Sequence, residues 1–421
     1  MIEYKYVIVF SHSNYCLKAA GTEKAIRDLQ EILILRNIHT LQVFSFNNTL
    51  SLSNYDQYIG INLDKEFMGI YKLKDFYNFI IELNFTKKIS PIAIHIHHLL
   101  NYDLNLLQYI IQNLNLPVYF FIHDFYTICK SINLIDSNNN FCGFEFPNEK
   151  KCSTCNFFND ANKLSNDMRK FISLIDKSVI NYIVPSEFVF DKWTKQFLNI
   201  SNKTIVREHM IFSDAYPISN KENHKLKIAF IGGQYNIKGF NEWCYFVEEL
   251  SRLSDNYEFY YFGNGERRLN NVKNIPVNNF NSKTNQMVES LRSNQIDFAF
   301  LWSICPETYS YVYFESSMSG CSIITNENSG NISLMTSKNK NGIVFKSIEE
   351  AIKYFKNISQ ISKIRDERES IKFHPLNGQI NDDLSKIINI DFSFQPNISI
   401  KVNKSKKSKI LTKLYCLKYK L

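Results

Sequence analysis

The chain has 421 residues, of which 44% are hydrophobic, 14% aromatic and 21% charged, with only 13 Gly and 9 Pro. This balance excludes bulk disorder, collagen-like repeats and coiled coil, and the length suits two domains better than one core. The formal net charge of +8 is local: residues 401–421 hold eight lysines (Lys401, Lys404, Lys406, Lys407, Lys409, Lys413, Lys418, Lys420) and no acid, so residues 1–400 are neutral and a nucleic-acid binder is not expected.

In chain order, residues 6–10 form a short β-rich run that ends in Ser11, His12 and Ser13. A helical pattern follows from Thr22 through Ala25, Ile26, Leu29, Ile32 and Leu33. Residues 55–59 read as a strand, with Gly60 at its end or in a turn. Residues 92–96, 117–122 and 179–184 are further apolar strands, ending respectively in His97 and His98, in His123 and Asp124, and in Pro185 and Ser186. Strands alternating with helices imply a parallel sheet that gathers polar residues at its carboxyl edge, where open α/β folds bind ligands.

The rhythm restarts after His209. Strands are expected at 227–231, before Gly232 and Gly233; at 258–262, before Gly263; at 297–301; and at 322–325. A helix is expected around 240–253 and one or two more within 350–390, with a return toward the first unit. The expected organisation is one α/β unit over 1–208, a second over 209–385, and a linker and basic tail over 386–421, with the linker proper at 392–400.

The N-terminus lacks a basic segment followed by a long apolar core, so no signal peptide is expected, and no run of about 18 apolar residues predicts a membrane span. A cytoplasmic location follows as the expectation, and in that reducing setting the nine cysteines need not pair. Four of them, Cys129, Cys142, Cys152 and Cys155, crowd one loop, 129–155. Four thiolates suit a structural zinc; packed reduced thiols and a disulfide are the other readings. The tail places Ile410, Leu411, Leu414, Tyr415, Leu417, Tyr419 and Leu421 among its lysines. On a helix these fall into an apolar side and a basic side, suited to an anionic membrane surface; a solubilising tail is the alternative.

Several loop motifs occur together and in order. Glu307 and Glu315 stand in the run Pro306, Glu307, Thr308, Tyr309, Ser310 through Phe314, Glu315, with seven residues between the two glutamates and Gly320 and Gly330 beyond. Ala20, Gly21, Thr22 and Glu23 follow the first strand; His97 and His98, His123 and Asp124, and Pro185 and Ser186 follow later ones; Gly233 precedes Lys238 and Gly239; Gly263 follows the next strand. Over residues 1–385 this set resembles the large retaining glycosyltransferase family with the GT-B fold, family 4, in which two Rossmann-like domains face each other across a cleft.

The resemblance implies a hexose or deoxyhexose transferase working from a nucleotide-sugar donor to a glycan acceptor, lipid-linked, in bacterial surface polysaccharide synthesis such as O-antigen or capsule. It implies donor contacts at Gly21, Gly233, Lys238, Gly263, Glu307, Thr308, Tyr309, Ser310 and Glu315. Catalytic roles fall to His123, Glu307 and Lys238, with acceptor-side roles for His97, His98 and Asp124. His97 and His98 read equally as structural hydrogen-bond partners. No catalytic metal or cofactor is implied. One departure stands out: Gln234 occupies the place where the family carries a diphosphate-binding arginine, and Arg207 is a candidate to compensate. That departure supports the alternative of a weakened sugar-nucleotide-binding or scaffold protein.

Overall fold

The structure is a computed structural model; it describes residues 4–18, 20–46, 57–214, 225–253, 255–277, 286–357, 359–361, 363, 376–383, 386–388, 392, 394 and 401–421. The strands are β1 Tyr4–Ser11, β2 Ile38–Phe46, β3 Tyr58–Leu63, β4 Glu66–Lys72, β5 Ile89–Ile96, β6 Val118–Phe121, β7 Val179–Val184, β8 Thr204–Val206, β9 Met210–Asp214, β10 Leu226–Ile231, β11 Tyr257–Phe262, β12 Val272–Ile275, β13 Phe298–Phe300, β14 Ser322–Asn326, β15 Gly342–Phe345 and β16 Leu376–Ile380. The helices are α1 Gly21–Leu35, α2 Phe76–Lys87, α3 Leu104–Leu114, α4 Glu149–Cys152, α5 Phe158–Ile175, α6 Glu187–Thr194, α7 Phe240–Leu250, α8 Gln286–Ser293, α9 Tyr311–Met318, α10 Asn331–Asn339, α11 Ile348–Lys356 and α12 Lys406–Tyr419.

Two separate sheets confirm the α/β reading. The first has eight strands in the order β4-β3-β2-β1-β5-β6-β7-β8, the second six in the order β12-β11-β10-β13-β14-β15. Strands β1, β5, β6 and β10 are continuous apolar runs because helices cover both faces of each parallel sheet. Two core clusters flank each sheet. Helix starts are set locally: the Asp103 carboxylate accepts the Asn105 and Leu106 amides at α3, and Ser186 and Ser347 cap α6 and α11.

The first sheet departs from the expected all-parallel order. Strands β2, β3 and β4 form an antiparallel meander at one edge. Gly60 does not end a strand but lies in the middle of β3, paired with Phe44. A Cβ at Gly60 would enter the Phe44 ring, so the residue is there for close approach and not for a turn.

After β8 the chain forms β9, which pairs antiparallel with β16 from much later in the sequence. Asn381, just past β16, donates its amide to the His209 carbonyl, and its side chain donates to the Glu208 carbonyl. The chain then returns to the first domain, where Ile387 and Ile388 are buried and Phe392 and Phe394 pack against the core. The expected linker at 392–400 therefore begins as packed chain.

The basic tail forms the expected helix, α12, but its apolar residues do not share one side. Leu411 and Tyr415 are buried against Phe44, Tyr58 and Ile70 of the meander. Ile410, Leu414 and Leu417 face outward. The Thr412 hydroxyl accepts the Ile70 amide at 2.9 Å, and Lys404 donates to the Met68 carbonyl at 2.8 Å. Among the described residues, no helix is long and apolar enough to cross a membrane.

Candidate functional site

A cavity of ≈ 500 Å³ opens between the carboxyl edges of the two sheets. The first domain lines it with His12 after β1, the first turn of α1, His98 after β5, and His123 and Asp124 after β6. The second domain contributes Gly232, Gly233, Tyr235 and Lys238 after β10, and the loop from Trp302 to Tyr311 between β13 and α9. Of the residues singled out in the sequence, Gly21, Gly233, Lys238, Glu307, Thr308, Tyr309, Ser310, His98, His123 and Asp124 line this one space.

Three of the expected residues do not line it. His97 lies behind His123, nearly fully buried. Gly263 packs against the Gly232 carbonyl, behind the loop after β10. Glu315 is buried one turn into α9.

Lys238 and Glu307 form an ion pair at the cavity wall. Burial opposes the Lys238 ammonium, but the Glu307 carboxylate beside it raises its pKa above the usual value. Ser303 also donates to Glu307, at 3.1 Å. The Glu307 peptide is held on both sides, with its amide on the Ser329 carbonyl and its carbonyl accepting from Asn331. Gly330 makes that contact possible: its φ is +68°, and a Cβ there would lie 2.6 Å from the Glu307 nitrogen.

Among the described residues, Lys238 is the one lysine or arginine that lines the cavity. Gln234 is occupied elsewhere, exchanging hydrogen bonds with the Arg267 backbone at 2.7 and 2.9 Å. Arg207 is buried, donates to the Asn381 carbonyl and does not line the cavity, so it does not supply the missing cation there. Backbone amides remain. Helices α1 and α9 both start at the cavity without a side-chain cap. Ser310, the residue before α9, has φ +69°, and its hydroxyl and that of Tyr311 are buried with no partner among the described residues.

The first-domain wall is a histidine cluster. His98 receives the Leu100 amide on Nδ1 at 3.0 Å and therefore carries its proton on Nε2, which donates to Asp124 at 3.0 Å. Burial works against the Asp124 carboxylate, but His98 and the Tyr126 amide hold its pKa below the ordinary range. His97 Nδ1 lies 2.8 Å from His123 Nε2, and His97 Nε2 is buried without a partner among the described residues. An orphaned N–H is rarer than an orphaned acceptor, so the proton between the rings belongs to His97. His123 then carries its own proton on Nδ1. Burial pushes the His123 pKa down to about 4, so at neutral pH the ring is uncharged, with Nδ1 as its donor.

Three contributors were not assigned roles from the sequence. His12 lies 3.3 Å from Glu23, and burial lowers its pKa, with His98 adding to the effect. Glu23 is almost fully buried and also accepts from Ser13. His209 stacks on Tyr311, with ring centroids 5.5 Å apart. A strand-end position was the available signal for His12; His209 follows β8, too short to stand out as a strand.

The domains are clasped directly at this site. The Thr308 hydroxyl donates to the His123 carbonyl at 2.6 Å, and the Thr308 carbonyl accepts from the Ser186 hydroxyl at 2.6 Å.

The four cysteines of the 129–155 loop are free thiols, and those of Cys129 and Cys142 are both within electrostatic reach of Cys152 and Cys155. The Cys155 amide closes a turn on the Cys152 carbonyl, while the Cys142 thiol points at the Leu134 carbonyl, 3.0 Å away. The donor chemistry suits zinc, but among the described residues no three such groups are arranged to hold a metal ion.

No protein-family model matches the chain, and no curated protein sequence is similar to it. Solved structures do match. A glycosyltransferase from Rickettsia africae ESF-5 is 11% identical, with 87% of this chain and 92% of that one covered and a TM-score of 0.53. The catalytic domain of starch synthase IV from Arabidopsis thaliana, bound to ADP and acarbose, is 10% identical over 93% and 96% of the chains, with a TM-score of 0.51. The pneumococcal O-GlcNAc transferase GtfA, in complex with UDP and GlcNAc, is 10% identical over 88% and 94%, also with a TM-score of 0.51. At such identities the likeness concerns the fold, and the fold of this chain is GT-B: two Rossmann-like domains facing each other across a cleft.

Proposed function

We propose that this chain is a retaining glycosyltransferase of the family 4 type. It moves a hexose or deoxyhexose from a nucleotide-sugar donor to a glycan acceptor, lipid-linked, in the synthesis of a bacterial surface polysaccharide such as O-antigen or capsule, on the cytoplasmic side. The observation that carries this reading is a meeting across one cavity. Lys238, Glu307 and the uncapped start of α9 come from the second domain, and His123, Asp124 and His98 from the first.

In this reading the donor diphosphate lies against the starts of α9 and α1, with the Lys238 ammonium offsetting the charge that builds on the leaving group. Glu307, fixed through its peptide and its Lys238 contact, faces the sugar hydroxyls, and Glu315 serves the donor from within α9. His123 donates from Nδ1 to the transferred sugar. His98 and Asp124 orient the acceptor, and His97 acts through His123. Closure of the domains through Thr308 aligns donor and acceptor and excludes water. No metal or cofactor takes part in the chemistry; a zinc held by Cys129, Cys142, Cys152 and Cys155 would order their loop.

A panel of nucleotide sugars tests this by thermal stabilisation and turnover, with Glu307→Ala as control. The expected result is one donor that raises the melting temperature and is turned over by the wild type and not by the variant. Absence of stabilisation and turnover with every donor refutes the reading. A second reading, a sugar-nucleotide-binding protein with weakened catalysis, is favoured by Gln234 and by Lys238 as the one lining cation among the described residues. Stabilisation by a donor with no turnover against any acceptor supports it.

A further inference from the structure

We propose that the outer face of α12 docks this protein on an anionic membrane. The inner face fixes the orientation. Leu411 and Tyr415 are buried in the meander, Thr412 takes the Ile70 amide and Lys404 reaches the Met68 carbonyl, so the helix cannot turn those residues elsewhere without losing these contacts. What remains outside is ordered. Ile410, Leu414 and Leu417 are 50%, 51% and 77% exposed, and Leu421, just past the helix, is 54% exposed. Ile410, Leu414 and Leu417, spaced four and three residues apart, form a single helical stripe, with Leu421 beyond its end.

Exposed lysines Lys406, Lys409, Lys413, Lys418 and Lys420 border this stripe. The segment 401–421 contains no acid, while the rest of the chain is neutral. An aliphatic stripe between lysines matches an acidic lipid surface on both counts: leucines enter the acyl boundary while lysine stems extend to the phosphates. A nucleic acid would meet the lysines but leave the leucines in water. The helix also lies near the site, since the Tyr415 hydroxyl accepts from Asn14 at 3.2 Å, two residues from His12 on the cavity wall. A membrane under α12 therefore lies beside the first-domain rim. That it delivers a lipid-linked acceptor there rests on the proposed function; the docking itself does not.

The test is flotation of the full chain with vesicles of phosphatidylcholine containing 30% phosphatidylglycerol, against pure phosphatidylcholine. The wild type is expected to float with the anionic vesicles only, and to be released by high salt. Leu414→Glu with Leu417→Glu should reduce binding at least tenfold with an unchanged melting temperature, since neither side chain is buried. Equal flotation of wild type and double variant, or no flotation of the wild type, overturns the proposal. So does a dimer that the double variant dissociates in the absence of vesicle binding, which would make the stripe a contact between copies. Vesicle binding by a chain that turns over no nucleotide sugar supports the docking face and counts against the glycosyl-transfer reading.

Discussion

His95 gives the chain a defined sensitivity to acid. It lies on β5, fully buried, and its Nε2 is 2.8 Å from the Ile387 carbonyl of the returning segment. A carbonyl only accepts, so the neutral ring carries its proton there. The other ring nitrogen is buried without a partner among the described residues, and Tyr119 and Phe121 pack against the ring. Burial drives the pKa down to about 3, helped by Arg207 and opposed by the Ile387 carbonyl. The unfolded chain takes up this proton near pH 6.5 and the folded chain only near 3. Between those values the unfolded state binds more protons, so stability falls as pH falls; above 6.5 the contribution is fully present. For these two values the loss is about 2 kcal/mol at pH 5, and about 5 kcal/mol once the pH is below both. The variant His95→Gln keeps an N–H donor for Ile387 but does not titrate. Urea unfolding, followed by the fluorescence of first-domain Trp193 and by circular dichroism, should show a smaller stability loss from pH 7 to pH 5 in the variant, by about 2 kcal/mol. Carboxylates and the other histidines titrate in both proteins and cancel in the difference. Identical pH dependence in wild type and variant would refute the reasoning.

Three further outcomes follow from the site. Lys238→Met should lower turnover about 100- to 1000-fold, the range seen when a single charge-stabilising group is lost, and a variant with near wild-type turnover would remove Lys238 from the proposed chemistry. Gly330→Ala should destabilise the second domain by about 1–3 kcal/mol, because a side chain at positive φ would also press on the Glu307 peptide; thermal melts and turnover should fall together. For the 129–155 loop, where the described thiols are not arranged around a common metal site, metal analysis of protein purified under reducing conditions should find no stoichiometric zinc; close to one zinc per chain, lost in Cys152→Ser with Cys155→Ser, would mean that the four thiols regroup around a metal.

The legible parts of this fold are those where burial is complete and apolar. Strands β1, β5, β6, β7 and β10 announce themselves because helices cover both their faces. The meander was harder to see because buried polar side chains interrupt its apolar ones. Gln42 donates to Ser11, and Asn62 donates to Gln42 and to Asn14, all at 2.7–2.9 Å and all buried. Such side chains suggest a loop when read singly and become core only once each finds its partner across strands. The same limit explains the tail. Its helix was readable, but the split of its apolar residues depends on a surface of β2, β3 and β4 that had not been identified. At the cavity, Glu307, Lys238 and His123 were readable from motif order, whereas the tie between Gln234 and Arg267 is made in three dimensions.

That tie has a consequence for donor binding. In the proposed function, with Gln234 and Arg207 both engaged elsewhere, a diphosphate in this cavity would meet, among the described lining residues, one ammonium, itself paired with Glu307, and the uncapped amides of α1 and α9. The lining also holds the carboxylates Glu23 and Asp124, and His12, His123 and His209, whose pKa values burial lowers. Attraction in such a site comes from fixed short-range dipoles and direct hydrogen bonds, which salt screens little, and not from a positive field reaching into solvent. Nucleotide-sugar affinity should therefore change less than about threefold between 50 mM and 500 mM salt, a span over which exposed charges lose most of their long-range attraction. Calorimetric titration at the two salt concentrations measures this. A tenfold or larger loss of affinity would mean that further cations reach the phosphates and that the amide-dominated picture of the donor site is wrong.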